Sequence, residues 1–572
     1  GFDIKGNAAA AMTHQTQTLP ADRGEITDRN GHVLAQSQPA VNITADPTII
    51  STNGLTASYM SNREKLKAQA GPGIIAGVLA AYLGGDFTSY YNALTTTKTS
   101  DGVDIRYTML HPSVLTYTDQ KVTEHLGDLG YVGLYSEQAP IRTYPDGTVG
   151  ANVLGYMMHS QDLADQQKYP WVGGDGIEYA QNTNLAGVDG EELYEWSPYG
   201  KIPSDTTVVK EPKQGISYQL TLDMPLQYMQ DQRLAAAVQQ SGSRSGIAIT
   251  MSVKTGEVLA MSTYPTYDPN DISGQSNDNL GNRVVRDAYE PGSVEKLLTV
   301  AALVDQGLVD AGTKVIVPPS VTSGGAPISD AIDHGTIQLT TAGIIGQSSN
   351  VGAVLLSRQM TKEAFVDYLH RFGLGSPTGV GLPGEASGHI PDATMTDQTR
   401  DNMAFGQGMS VTAIQEAAAV NAIANGGTYI QPSIIKAAKD SKGAALPIAQ
   451  PNTRQVVSQE TATQMLGMME AVVALNPGYF DIEGYNTAAK SGTAEVVDPA
   501  CACYNGDYVM SYLGVAPAQN PELLTYVVLD RPASGSGTSE AAPVVHDVME
   551  LALSRYGVPL STTAPTEYPT KW

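Results

Sequence analysis

At 572 residues the chain exceeds what one hydrophobic core ordinarily organises, so two or more domains are expected. Hydrophobic residues at 41% and charged residues at 16% fit a folded globular protein and exclude a disordered one. A formal net charge of −25, from 58 acidic against 33 basic residues, excludes the basic face that nucleic acid or an anionic membrane surface requires.

In chain order, the first part runs to about Gln214, is rich in Gly, Thr, Asp and Tyr, and mixes short strand patterns with turns. Arg29-Asn30-Gly31-His32 reads as a turn and Val41-Asn42-Ile43-Thr44-Ala45 as a strand. No stretch reaches the 18 or so uninterrupted apolar residues of a membrane span. The nearest, Ile74 to Leu83, predicts a buried helix of a folded domain. A chain that opens at Gly1 reads as a mature or trimmed one.

A charged connector, Val209 to Gly215, leads into the alternating run Tyr218-Gln219-Leu220-Thr221-Leu222, and places a domain boundary at 214/215. Met224 to Gln240 predicts a helix. Gly246 to Val253 and Glu257 to Ser262 predict a hairpin about Lys254-Thr255-Gly256. Helical patterns follow over Ser293 to Val304, Thr340 to Met360, Lys362 to Phe372, Val411 to Ala424, Glu460 to Val473 and Val544 to Tyr556. Before the last of these, Tyr508 to Pro517 and Leu523 to Leu529 form a second hairpin about Ala518-Gln519-Asn520-Pro521. Hairpins at both ends with helices between predict an α+β domain, its single antiparallel sheet flanked by helices.

The two cysteines, in Cys501-Ala502-Cys503, are spaced awkwardly for a disulfide and are expected to be small loop residues. Two thiols do not complete a zinc site, and the nine histidines form no ligand pair, so no metal is expected.

Chemistry concentrates in three short segments. In Glu290-Pro291-Gly292-Ser293-Val294-Glu295-Lys296, Pro and Gly end one segment and Ser293 stands where a helix begins. Lys296, three positions on, shares a helical face with Ser293. A serine hydroxyl needs a base to become a nucleophile, and a lysine serves if burial or cationic neighbours lower its pKa. Ser348-Ser349-Asn350 supplies a hydroxyl for proton relay and an amide that can hold a carbonyl. Lys490-Ser491-Gly492-Thr493 precedes a strand pattern and suits a terminal carboxylate, with Gly492 allowing close approach. Each is common alone: Ser433 to Lys436, Ser51 to Asn53 and Lys254 to Gly256 are literal matches assigned no function.

Their order is what discriminates. Ser-x-x-Lys, then Ser-x-Asn, then Lys-[Ser/Thr]-Gly resembles the penicillin-binding proteins and serine β-lactamases. Thr255 to Val258, Leu259 to Pro265, Tyr267 to Asn270 and Phe405 to Thr412 are similar to further stretches of the penicillin-binding transpeptidase domain. In the first part, Arg23-Gly24-Glu25-Ile26-Thr27-Asp28-Arg29-Asn30-Gly31 resembles the class B, monofunctional signature. Arg142-Thr143-Tyr144-Pro145, Gly174 to Glu178 and Leu185-Ala186-Gly187 fit the same non-catalytic pedestal. Pro20-Ala21-Asp22 and Tyr556-Gly557-Val558-Pro559 are similar to the division-type, FtsI-like branch.

The resemblance implies a strand-rich pedestal over 1–214, a transpeptidase domain over 215–557 and a tail over 558–572. It implies a serine D,D-transpeptidase that cross-links peptidoglycan stem peptides, with Ser293 as nucleophile and Lys296 as base. Ser348 would relay a proton and Asn350 would hold a peptide carbonyl. Lys490, Ser491, Gly492 and Thr493 would bind substrate, and the N–H groups of Ser293 and Thr493 would form the oxyanion hole. No cofactor is implied. The implied partners are D-Ala-D-Ala donor stems, an amine acceptor, β-lactams as covalent inhibitors, and division or glycosyltransferase proteins. The implied location is the extracytoplasmic face of the bacterial membrane, with an anchoring N-terminal helix outside this chain. The same three motifs also serve β-lactamases, carboxypeptidases and penicillin sensors. Glu295 departs from the family, whose members often carry an aromatic or apolar residue there; on a helix it is expected to face away from Ser293.

Overall fold

The structure, a computed structural model, describes residues 13–160, 171–197 and 200–572. Near the start, β1 (Ile26–Thr27) and β2 (Val33–Gln38) flank the turn expected at Arg29 to His32, and β3 (Ala40–Ala45) follows directly. A long helix α1 (Asn62–Leu83), then β4 (Thr108–Leu115), β5 (Leu134–Gln138) and β6 (Ile141–Thr143) complete the parts used below.

β3 lies between β4 and β5, antiparallel to both, with Val41 opposite Val114 on one side and Gln138 on the other. Ile75, Ala76, Val78 and Leu79 of α1 cover this sheet in a core of their own with Val41, Ile43, Val114 and Leu126. The helix begins well before the expected Ile74 because Ser61 and Glu64 form a reciprocal capping box at its start. By length and composition alone it could cross a membrane, yet its most apolar side is spent on the core beneath it.

A second sheet joins the two parts of the chain. β7 (Ser217–Leu220) runs parallel to β1, with Tyr218 opposite Ile26, and antiparallel to Ile435–Lys439, with Tyr218 opposite Ala438. β2 and β6 extend it on the other side. Beside it, Glu178 is completely buried and accepts from Arg23 Nε at 3.0 Å, Arg142 Nε at 2.8 Å and the Tyr144 hydroxyl at 2.6 Å. Burial alone would raise this carboxyl's pKa, but Arg142 and Arg23 outweigh it and hold the group below the usual range. Three sequence stretches that resembled a pedestal thus meet in one ion cluster. Glu178→Gln leaves two buried guanidiniums short of a counter-charge and is expected to cost about 3–5 kcal/mol, read as a lower denaturation midpoint.

The second part of the chain is built as the hairpins predict. α2 (Met224–Ser241) precedes β8 (Ser245–Ser252) and β9 (Val258–Tyr264). Helices α3 (Lys296–Asp305), α4 (Thr341–Gln347), α5 (Asn350–Ser357), α6 (Ala413–Ala424) and α7 (Gln459–Leu475) follow. Then come β10 (Ala488–Asp498), β11 (Cys503–Ala516), β12 (Leu523–Asp530) and α8 (Ala542–Arg555). The five strands form one antiparallel sheet in the order β9-β8-β12-β11-β10, with Ile249 of β8 opposite Tyr526 of β12. Successive residues of β12 face opposite sides. Thr525 meets Thr250, which donates to Gln230 of α2, whereas Tyr526 meets Tyr289 on the side of Ser293. The sheet is therefore covered on both faces, and β10 forms its edge.

Four expectations need correction. Thr340 to Met360 is not one helix: Ser348 adopts φ +57 and breaks it into α4 and α5. Ser293 lies in a 3-10 turn, Gly292–Glu295, that runs into α3, and no side-chain cap is made there. Val411–Thr412 is a short strand paired with Ala288–Tyr289, and Thr412 then caps α6. Cys501 and Cys503 are joined in a disulfide at the tip of the β10–β11 hairpin, because Ala502 at φ +52 brings their Cα atoms to 5.2 Å. The last residues run back over the catalytic part: Trp572 Nε1 donates to the Leu339 carbonyl at 3.1 Å, and Thr340 N donates to the Thr570 carbonyl at 3.1 Å.

Candidate active site

Three backbone segments are pressed together around Ser293. Gly292, at φ +68, lies so close to the Thr493 carbonyl of β10 that any Cβ would collide with it. On the opposite side Gly406, at φ +83, abuts Gly292 in the same way, and Gly292 N donates to the Gly406 carbonyl at 3.0 Å. Gly492 packs against Val294 and the Ser511 hydroxyl. The Ser293 turn is thereby wedged between the edge strand and the Phe405 to Thr412 loop, which explains glycines in all three segments. Ser293 itself is only partly buried.

One helical turn on, Lys296 is completely buried. Its Nζ donates to the Ser348 carbonyl at 2.8 Å and to Ser348 Oγ at 2.9 Å. Lys490, also completely buried, donates to the same Ser348 Oγ at 2.9 Å and to the Ser491 carbonyl at 2.8 Å. Two amines so placed do not both carry a charge away from water. Burial and then the neighbouring Lys490 push Lys296 well below the ordinary amine pKa, with Asp330 opposing. Burial pushes Lys490 down to about 7. Lys296 is thus biased towards its neutral form, and the Ser348 hydroxyl bridges the two lysines.

The break between α4 and α5 supplies the third side. Ser349 caps α5 by accepting from Gly352 N at 3.0 Å, and Asn350 Nδ2 donates to the Ser329 carbonyl at 3.2 Å. Asp330 accepts from Ser349 Oγ at 2.8 Å and from Val351 N at 2.9 Å, and lies 2.6 Å from His334 Nε2. No sequence signal marked Asp330, which the fold delivers from a separate hairpin. Glu416 was missed too, although a lone carboxylate in the apolar run Ala413 to Ala424 was a readable sign. Glu295 meets Glu416 and not Lys296, whose charged neighbours are Lys490 and Asp330. The literal motif matches stay apart from the cleft: Lys254 pairs with Glu522 at 2.7 Å and Lys436 with Glu257 at 3.2 Å, both near the surface. Among the described residues no cluster of three or more His, Cys, Asp or Glu is placed to hold a metal ion.

Residues 246–550 match the penicillin binding protein transpeptidase domain, and residues 18–220 match the penicillin-binding protein dimerisation domain. The chain belongs to the penicillin-binding protein family. The two matches in this order make it a class B penicillin-binding protein, with the two-domain fold of that class. It is 33% identical to the penicillin-binding protein PbpB of Mycolicibacterium smegmatis, across 97% of this chain and 86% of that one. It is 30% identical to the peptidoglycan D,D-transpeptidase FtsI of Escherichia coli, across 94% of this chain and 84% of that one. Among solved structures it is similar to a peptidoglycan synthetase from Bifidobacterium adolescentis, with a TM-score of 0.74 and 31% identity over 98% of this chain and all of that one. Penicillin binding protein 3 of Mycobacterium tuberculosis, solved in complex with aztreonam, gives a TM-score of 0.71 and 30% identity over 97% of this chain and 100% of that one.

Proposed function

We propose that this class B penicillin-binding protein is a serine D,D-transpeptidase that cross-links peptidoglycan stem peptides in septal wall synthesis, with Ser293 as its nucleophile. The observation that carries the reading is the completely buried Lys296, its pKa pushed down by burial and Lys490, bonded to Ser348 and one turn from the partly buried Ser293.

Lys296 takes the Ser293 Oγ proton as that oxygen attacks the carbonyl of the penultimate D-Ala. Lys490 and Thr493 hold the terminal carboxylate on β10, beside Ser491 and Gly492. An arriving carboxylate also restores the charge that burial takes from Lys490. Asn350 holds a peptide carbonyl. The N–H groups of Ser293 and Thr493 stabilise the oxyanion, a role that suits a sheet-edge strand with outward-facing donors. The C–N bond then breaks, the proton passes through Ser348 to the departing D-Ala amine, and the acyl group stays on Ser293. An amine from a second stem attacks this ester, forming the new amide and releasing the serine.

β-Lactams, which are bound by penicillin binding protein 3 of Mycobacterium tuberculosis in its aztreonam and ampicillin complexes, are read here as covalent inhibitors acylating Ser293. Residues 1–214 are read as the pedestal, 215–557 as the catalytic domain and 558–572 as its tail. The place of action is the extracytoplasmic face of the membrane, alongside division proteins and a glycan-polymerising partner.

The test supplies a D-Ala-D-Ala stem donor with an amine acceptor and follows D-Ala release and dimer formation together. Equal amounts of both are expected. Release without dimer, or rapid penicillin turnover with no persistent adduct, makes the protein a hydrolase. Clean acylation by β-lactam with neither product makes it a sensor.

A further inference from the structure

Glu295 and Glu416 are both completely buried and take no part in the reaction above. Glu295 ends the turn that carries Ser293, and Glu416 lies in the first turn of α6. No neighbouring N–H or O–H among the described residues reaches any of their four carboxyl oxygens, and the two groups meet each other directly. Carboxylates are acceptors only, so a bond between them requires a proton. Two ionised groups here would also place uncompensated charge in an apolar core, at several kcal/mol.

Burial pushes both groups above the carboxylate range, and the charge of Glu416 pushes Glu295 higher still. The other titratable groups facing the pair are the hydroxyls of Tyr289, before the nucleophile turn, and Tyr526 of β12, bonded to each other at 2.5 Å. The backbone ties the same segments at two places: Gly292 N donates to the Gly406 carbonyl, and Ala288–Tyr289 pairs with Val411–Thr412, the residues that lead into α6. The carboxyl pair adds a tie made to α6 itself.

We propose that a single proton shared by Glu295 and Glu416 fastens the Ser293 turn to α6, making both of them positioning residues for the nucleophile. The proposal rests on Ser293 being that nucleophile. A glutamine at either position keeps the tie, since its amide N–H replaces the shared proton, whereas alanine cuts it.

The experiment compares wild type, Glu416→Ala, Glu416→Gln and the double variant Glu295→Gln/Glu416→Gln. It measures the rate of acylation by a labelled β-lactam, and the thermal midpoint from about pH 5 to pH 9. Glu416→Ala is expected to acylate at least about 10-fold more slowly, and both glutamine variants within about threefold of wild type. The wild-type midpoint falls as pH rises above the unfolded carboxylate pKa, because the folded pair holds protons the unfolded chain has released. That fall flattens in the double variant. An alanine variant as fast as wild type, or glutamine variants no faster than alanine, overturns the positioning role. An unchanged pH dependence in the double variant overturns the shared proton. Should Glu416→Ala not fold, the glutamine rates and the pH dependence still decide. Absence of any adduct on wild-type Ser293 would instead overturn the nucleophile.

Discussion

Replacing Ser293 with alanine is expected to abolish the covalent β-lactam adduct and to slow peptide acylation by at least about 10⁴-fold. Ser348 already accepts from both Lys296 and Lys490, and its left-handed backbone holds it between them. Ser511, beneath Gly492, lies inside the sheet and is almost completely buried. Intact mass after mixing with a labelled β-lactam reads the result directly. A variant that still gains one adduct mass would show that the nucleophile lies elsewhere. Folding is not expected to suffer, because Ser293 caps no helix and is open on one side.

Lys296→Arg is expected to lower acylation by about 10³-fold, and its permanent charge at a completely buried site beside Lys490 is expected to lower the denaturation midpoint as well. A guanidinium keeps its proton throughout the working range and cannot serve as a base. The wild-type pH dependence carries the same logic. As the proposed base Lys296 must be neutral, so acylation is expected to fall as pH drops through its depressed pKa. Asp330 raises that pKa, so Asp330→Asn should move the acid limb to lower pH. Stopped-flow acylation with a chromogenic β-lactam across pH measures both effects. A Lys296→Arg enzyme of normal rate would remove lysine from the role of base.

Periodicity was informative where one face of an element is buried. The two hairpins that build the sheet, and helices such as Met224–Ser241, were legible for that reason. The breaks were not. Ser348 interrupts an apolar run by taking a left-handed conformation that its composition does not announce, and that interruption aims Ser348 at the two lysines. The three motifs could be ordered along the chain, but the closeness of their backbones became visible only at Gly292 and Gly406. Partners drawn from unmarked segments, Asp330 behind Ser349 and Glu416 behind Glu295, are long-range contacts that no local pattern encodes. The disulfide escaped for a similar reason, since it depends on the backbone angle of Ala502 and not on spacing alone.

The strand Ser217–Leu220 is zipped on one side to Ile26–Thr27 and on the other to Ile435–Lys439. A fragment beginning at Gly215 would keep the second neighbour and lose the first, leaving a bare row of amide and carbonyl groups on a half-apolar ribbon. Such an edge recruits other chains. The catalytic half is therefore not a detachable cartridge: Ile26 and Thr27 work as its edge guard, and excision of the enzyme by itself would exchange solubility for self-association.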